Sequence, residues 1–325
     1  MRRGVTKKAV PAEANVHEHI ARAMYYFSVH LLFASIVAAA AWALTSILRA
    51  SATTKYWVWV VTAFNFVLPS GALIDELWAP HLTWARPLAA IGDPVWDMTQ
   101  GRTAAILGVI WMTGAFSMLL RLMSRIRRER REAQTQALLS NRGVTSNFMA
   151  DGIPVSFHDG HPSPTVRGVL SPHILLPTGI DRLLSQREFR AILIHEIAHA
   201  RRRDNLIRLL YEISLCALWF HPLMWVAGAR IGLYRELSCD ESVIRRAHGR
   251  ELVSALAKLA VPEGAGLLQA TASSHLRYRL ARLTEPAQTS YRVASLLVIF
   301  LFAAVIGGGV FQTIAHTACC FVTKR

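Results

Sequence analysis

Cysteine is scarce in this 325-residue chain: four residues, at 216, 239, 319 and 320, stand at no spacing that suggests a disulfide framework or a cysteine zinc site. A reducing, cytoplasmic setting for the polar part of the protein is therefore expected. Acidic residues are also few, 21 Asp and Glu against 36 Lys and Arg, giving a net charge of +15. That excess would suit a nucleic-acid binder, yet no DNA-reading motif accompanies it, so direct nucleic-acid binding is not expected. Neither an internal repeat nor a low-complexity tract is found. A cleavable leader is not expected either, because the first apolar run is too long and lies too far from the start, with no small-residue cleavage site.

Apolar residues are plentiful. Hydrophobic residues make up 53% of the chain and the mean hydropathy is +0.30, more than one soluble core needs. Four runs lack Lys, Arg, Asp and Glu: 23–48, 56–74, 103–120 and 293–312. At 1.5 Å per residue each is long enough to cross a hydrocarbon core of about 30 Å. The third is short and the second carries Asn65, Pro69 and Gly71, so each alone also fits a buried or re-entrant helix. The expected fold class is an α-helical membrane protein of about four spans with a cytoplasmic α+β peptidase domain.

Charge sets the orientation. Arg121, Arg125, Arg127, Arg128, Arg130 and Arg131 follow the third run, and Arg277, Arg279, Arg282 and Arg292 precede the fourth. Lys and Arg stay on the cytoplasmic side, which puts the segment between them in the cytoplasm of a bacterial inner membrane. The loop 75–102, with four acidic residues and Trp78, Trp84 and Trp96, then faces outward. An outward N-terminus would carry Arg2, Arg3, Lys7 and Lys8 across, against the rule but at the limit of its reach. The division expected is 1–131 with three spans, 132–285 as the polar domain, and 286–325 with the fourth span and a tail.

Within the polar domain, β-favouring runs at 153–157, 165–170 and 174–176 predict a small sheet. From Asp181 the spacing of Leu183, Leu184, Phe189, Ile192 and Leu193 predicts a helix with one buried face. An apolar helical region at 205–227, broken by His221 and Pro222, is expected to lie against the membrane or under the site, and a third helix covers 230–246.

His195-Glu196-Ile197-Ala198-His199 falls inside the first of these helices, so its two imidazoles sit one turn apart on one face and can share one zinc ion at about 2.0 to 2.1 Å. A peptidase metal needs a third protein ligand and an open position. Glu236, with Asp240 on the same helix face, supplies the carboxylate, while Asp240 can hold the far nitrogen of a ligand histidine. Glu196 is then the general base rather than a ligand. Asp204 either orients a ligand histidine or merely ends its helix. Cys239 reads first as a small buried side chain, His221 as a histidine at a helix junction. Arg235 is either a salt-bridge partner of Glu236 or a donor to the transition state.

The runs beginning at Leu193 (LIHEIAHARRRDN), Phe220 (FHPLMW), Tyr234 (YRELSCDE) and Ser171 (SPHILLP) resemble the BlaR/MecR family of membrane gluzincin peptidases, antirepressor transducers of β-lactam resistance. The resemblance implies His195, His199 and Glu236 as ligands of one Zn²⁺, Glu196 as catalytic base, and Asp204 and Asp240 as supporting acids. It implies regulatory proteolysis, with a winged-helix repressor of the BlaI/MecI kind or the chain itself as substrate. The bilayer and a homodimer are further expected associations. Those transducers carry a penicillin-binding sensor after the last span. No such region is expected here, so another stimulus is. Two other readings remain: a quality-control membrane metallopeptidase, and a non-catalytic zinc-holding receptor or scaffold.

Overall fold

The computed structural model describes residues 12–67, 102–140, 148–158, 163–246, 248–259, 279, 295–300 and 302–303. Helices dominate it. Helix α1 (Ala12–Ile47), rich in alanine, is followed by α2 (Ala52–Asn65), whose first turn is capped by Ser51 Oγ accepting from Thr54 N at 3.1 Å. Helix α3 (Arg102–Ser140) runs unbroken through the arginine cluster and across residue 131.

A four-stranded sheet follows, built from β1 (Phe148–Ala150), β2 (Ile153–His158), β3 (Thr165–Arg167) and β4 (His173–Pro177) in the order β1-β2-β4-β3. The central pair is parallel, with Val155 opposite Ile174, and both outer pairs are antiparallel. Between β1 and β2, Asp151 and Gly152 both have positive φ, 55° and 77°, as a two-residue hairpin requires.

After the single turn α4 (Ile180–Leu183) come α5 (Gln186–Arg202), α6 (Asp204–Ala217), α7 (Pro222–Ile244) and α8 (Gly249–Leu259). A capping box starts α5: Ser185 Oγ accepts from Glu188 N, and the Glu188 carboxylate accepts from Ser185 N at 2.7 Å. Pro222 opens α7, where its missing N–H is no loss. One core joins Val155, Ile174 and Leu176 of the sheet to Ile192 and Ile197 of α5 and Leu252 of α8.

The expected sheet forms, with β1 added and β3 ending at Arg167 rather than at residue 170. The expected helix 230–246 begins eight residues earlier, at Pro222, because the expected region 205–227 divides at its His221-Pro222 break and residues 222–227 continue into the later helix. Two described helices are long and apolar enough to cross a membrane, at His30–Ile47 and Ala105–Glu132. The described part of the expected span 56–74 ends at residue 67, and its residues 56–65 belong to the 14-residue α2, about 21 Å long, which buries Tyr56, Trp59, Val60 and Ala63 against Ala227, Ile231, Tyr234 and Leu237 of α7. Residues 68–74 and most of the expected span 293–312 lie outside the described residues; within the latter, Val298 and Phe302 pack on Val37, Ala41 and Val58.

Candidate metal centre

Helix α5 carries His195 and His199 one turn apart, with ring centroids 4.8 Å from each other. Their Nε2 atoms converge to 3.1 Å. From α7, Glu236 Oε2 comes within 3.6 Å of His195 Nε2 and 3.8 Å of His199 Nε2. The far nitrogens are held as well: His199 Nδ1 meets Asp204 Oδ2 at 2.7 Å, and His195 Nδ1 lies 3.1 Å from Asp240 Oδ1. The structure thus brings five of the six predicted site residues into direct contact through their side chains. Glu196, the sixth, is 8% exposed and lines the adjoining cleft.

Donor chemistry favours a divalent cation in this triangle. Two imidazole nitrogens 3.1 Å apart either share a proton or bind a common cation, and tetrahedral ligands at zinc distances stand at a similar spacing of about 3.3 Å. Both Nδ1 atoms stand beside carboxylates and both Nε2 atoms face Glu236, the arrangement in which a carboxylate can fix the tautomer of a metal-binding histidine. A second cluster, His199, Asp204 and Cys239, is also close. Its carboxylate is already saturated, so it is the weaker candidate.

Asp204 accepts from Arg202 Nε and Nη2, both at 2.6 Å, as well as from His199 and from the Tyr56 hydroxyl at 3.0 Å. Arg202 also reaches Ser238 Oγ, the Arg235 carbonyl at 3.1 Å and Cys239 Sγ at 3.2 Å, stitching α5 to α7. Arg279 donates twice to Asp240, at 2.8 and 2.9 Å, and stands 3.5 Å from Glu236 Oε2. Arg235 forks onto Glu236 Oε1 at 2.9 and 3.1 Å, so the salt bridge, one of its two expected roles, is formed in this structure. His221 stands at the junction expected for it, in the residue position just before α7.

The electrostatics follow. Burial alone would raise the Glu236, Asp204 and Asp240 carboxyls, but their imidazole and guanidinium neighbours hold all three below the ordinary range. Burial likewise opposes a charged imidazole, yet Asp240 and Glu236 push His195 up to about 9, and Asp204 raises His199. Two buried carboxylates and the partly exposed Glu236 thus draw positive charge onto the two histidines. A dication answers the same field.

Around the triangle lies a cleft of about 450 Å³, lined by Glu196, Arg208, Arg235, Leu256 and the edge strand β3 at Thr165 and Val166. Asn205 Nδ2 donates to the Val166 and Gly168 carbonyls at 2.9 and 3.1 Å, tying that strand to α6.

Tyr56, Arg202, Ser238 and Arg279 were not foreseen as part of the site. Arg202 had a local signal, a cation two residues before Asp204. Tyr56 and Arg279 had none.

The family described as BlaR1 peptidase M56 matches residues 27–283, most of the chain. The chain belongs to that family. Among curated relatives of this M56 chain, the "Regulatory protein BlaR1" of Bacillus licheniformis is 27% identical over 200 residues, covering 56% of this chain and 33% of that protein. The "Methicillin resistance mecR1 protein" of Staphylococcus aureus is 26% identical over 98 residues, 30% of this chain and 17% of that protein. A protein of the same name from Staphylococcus epidermidis matches to the same extent. The M56 chain therefore spans a third or less of the length of these relatives.

Proposed function

We propose that this M56 chain is an integral membrane zinc endopeptidase acting in regulatory proteolysis. In this reading His195, His199 and Glu236 hold one Zn²⁺, and Glu196 is the base. The observation that carries it is the convergence of three donor atoms with a neighbouring glutamate at an open cleft. A divalent Lewis acid held there would make water acidic and polarise a peptide carbonyl. The Glu196 carboxylate takes a proton from the attacking water and delivers it to the leaving amine. Asp204 and Asp240 hold the two imidazoles in one tautomer. Arg235 occupies Glu236 Oε1, which leaves Oε2 turned toward the imidazole pair. β3, the edge strand lining the cleft, is the surface along which an extended substrate segment lies.

Residues 132–285 lie on the cytoplasmic side of a bacterial inner membrane in this proposal, because the arginine cluster of α3 follows its apolar half. The relatives' names speak of regulation and of methicillin resistance; for this chain the proposed substrate is a winged-helix repressor of the BlaI/MecI kind, or the chain itself.

The test is zinc per chain, by elemental analysis of protein purified in detergent, together with cleavage of a co-expressed repressor. Wild type and Glu196→Gln should each hold about one zinc and Glu236→Ala should hold much less. Only wild type should cleave. A folded wild type without zinc, or a zinc-loaded Glu196→Gln protein that still cleaves, sinks the reading.

A further inference from the structure

Helices α6 and α7 fold back on each other as a hairpin: the Tyr211 hydroxyl donates to the Met224 carbonyl at 2.9 Å and packs against Gly228, which has no side chain to obstruct it. The hairpin docks on α3. Near the base, Arg125 forms a two-pronged ion pair with Glu212. Near the tip, Trp111 Nε1 donates to the Ala217 carbonyl at 2.8 Å, and Trp219 Nε1 donates back to the Trp111 carbonyl at 3.2 Å. Trp219 lies directly on Gly114, where only a residue without a side chain admits it.

These contacts fix the depth of the tip. Arg121 ends the apolar half of α3, and Trp111 is about 15 Å of helix before it, half the thickness of a hydrocarbon core. The turn between α6 and α7 is level with Trp111, far on the apolar side of the arginine cluster. Leu210, Ile213, Phe220, Trp225 and Val226 of the hairpin are all more than a third exposed, as are Ile110 and Phe116 of the α3 segment on which it docks.

The polar groups of the turn give an independent indication. A helix break normally leaves carbonyls for water to satisfy. Here the Ala217 carbonyl is taken by Trp111, the Leu218 carbonyl by His221 N at 3.0 Å, and the Trp219 carbonyl by Trp225 Nε1 at 2.8 Å. Trp111 and Trp225 are 43% and 49% exposed, yet the only polar atom of each indole is turned inward onto backbone. Internal satisfaction of these three carbonyls under an apolar exterior is what a hydrocarbon solvent favours.

We infer that α6 and α7 form a re-entrant hairpin whose tip, residues 217–222, is immersed in the acyl region of the bilayer. The inference rests on the membrane reading of α3 given above. It has a consequence for the site: Asp204, which holds His199, lies about 12 Å of helix from Glu212 at the base of the hairpin, so cleavage takes place close to the membrane surface.

The experiment places a benzoylphenylalanine photocrosslinker at Phe220, and separately at Phe116 of α3, in the full chain reconstituted into phosphatidylethanolamine–phosphatidylglycerol vesicles. Mass spectrometry reads the adducts after illumination. Retained zinc content verifies each variant, and Val226 replaces Phe220 if that variant loses it. Acyl-chain adducts at both positions are expected. Acyl adducts at 116 with none, or headgroup adducts only, at 220 overturn the re-entrant hairpin and leave the membrane reading standing. Absence of lipid adducts at both positions overturns the two together.

Discussion

The Tyr56 hydroxyl donates a 3.0 Å hydrogen bond to Asp204, across 148 residues of sequence. The other oxygen of that carboxylate holds His199 Nδ1, so α2 reaches the candidate metal through two hydrogen bonds. Tyr56→Phe should leave the fold intact and weaken metal binding several-fold, less than the roughly 10- to 100-fold loss expected for Asp204→Asn, which acts on the histidine directly. Titration against a competing chelator measures both. Equal affinity in wild type and Tyr56→Phe would show that the hydroxyl does nothing for the metal.

Glu188 should give the polar region a distinct acid response. Lys258, Ser254 and the Ser185 backbone N–H, at 2.8, 2.5 and 2.7 Å, hold its carboxyl down at about 2, against an ordinary 4.5. A folded-state pKa below the unfolded one stabilises the fold above the unfolded value, and that stabilisation fades as pH falls through the folded value. Thermal midpoints of wild type and Glu188→Gln should therefore differ by a constant amount above about pH 4.5 and converge between there and about pH 2. A gap that persists unchanged at pH 2 would assign the difference to packing instead.

Arg203 joins α5 to α6 with φ at +56°, a left-handed conformation uncommon for a residue with a side chain. That conformation turns the chain so that Asp204 points back at His199. Arg203→Gly should be neutral or stabilising by up to about 1 kcal/mol, whereas Arg203→Val should cost about 1 to 2 kcal/mol. Denaturant melts of the two variants in detergent decide it. Similar stability of both would mean that the turn relaxes freely.

Two glycines on α3 make a matched pair. An added Cβ at Gly108 meets nothing within 4 Å, while at Gly114 it meets the Trp219 ring. Gly114→Leu should destabilise the protein by about 1 to 3 kcal/mol or detach the hairpin tip, and Gly108→Leu should not. Thermal midpoints and near-ultraviolet circular dichroism of Trp219 would show the contrast.

What could be read in advance was local. His195 and His199 are visible as a pair because helical periodicity alone puts them together, and Glu236 with Asp240 because the same periodicity aligns a second pair. Strands β2, β3 and β4 announced themselves by β-branched runs between glycine and proline. The contacts of α2 were illegible for a physical reason: a helix face packed on protein and one packed in lipid select the same side chains, so no spacing pairs Tyr56 and Trp59 with α7. Arg279 joins Asp240 only through tertiary folding, which no spacing encodes. Arg202 was within reach, since a fork of donors two residues before a carboxylate near two metal-ligand histidines has few other uses.

Glu241 follows Asp240 on α7, and its carboxylate accepts from the Ala52 backbone N–H at 2.7 Å and from Thr53 N at 3.4 Å, where the start of α2 carries its partial positive charge. Ala52 and Tyr56 are one helical turn apart, so α2 is pinned at two successive points, to Glu241 and to Asp204. Two pins on one face forbid both sliding along the axis and rolling about it. A displacement of α2 must therefore drag with it both the start of α6 at Asp204 and the helix bearing Glu236, or break an attachment, and the linkage transmits position rather than flexibility.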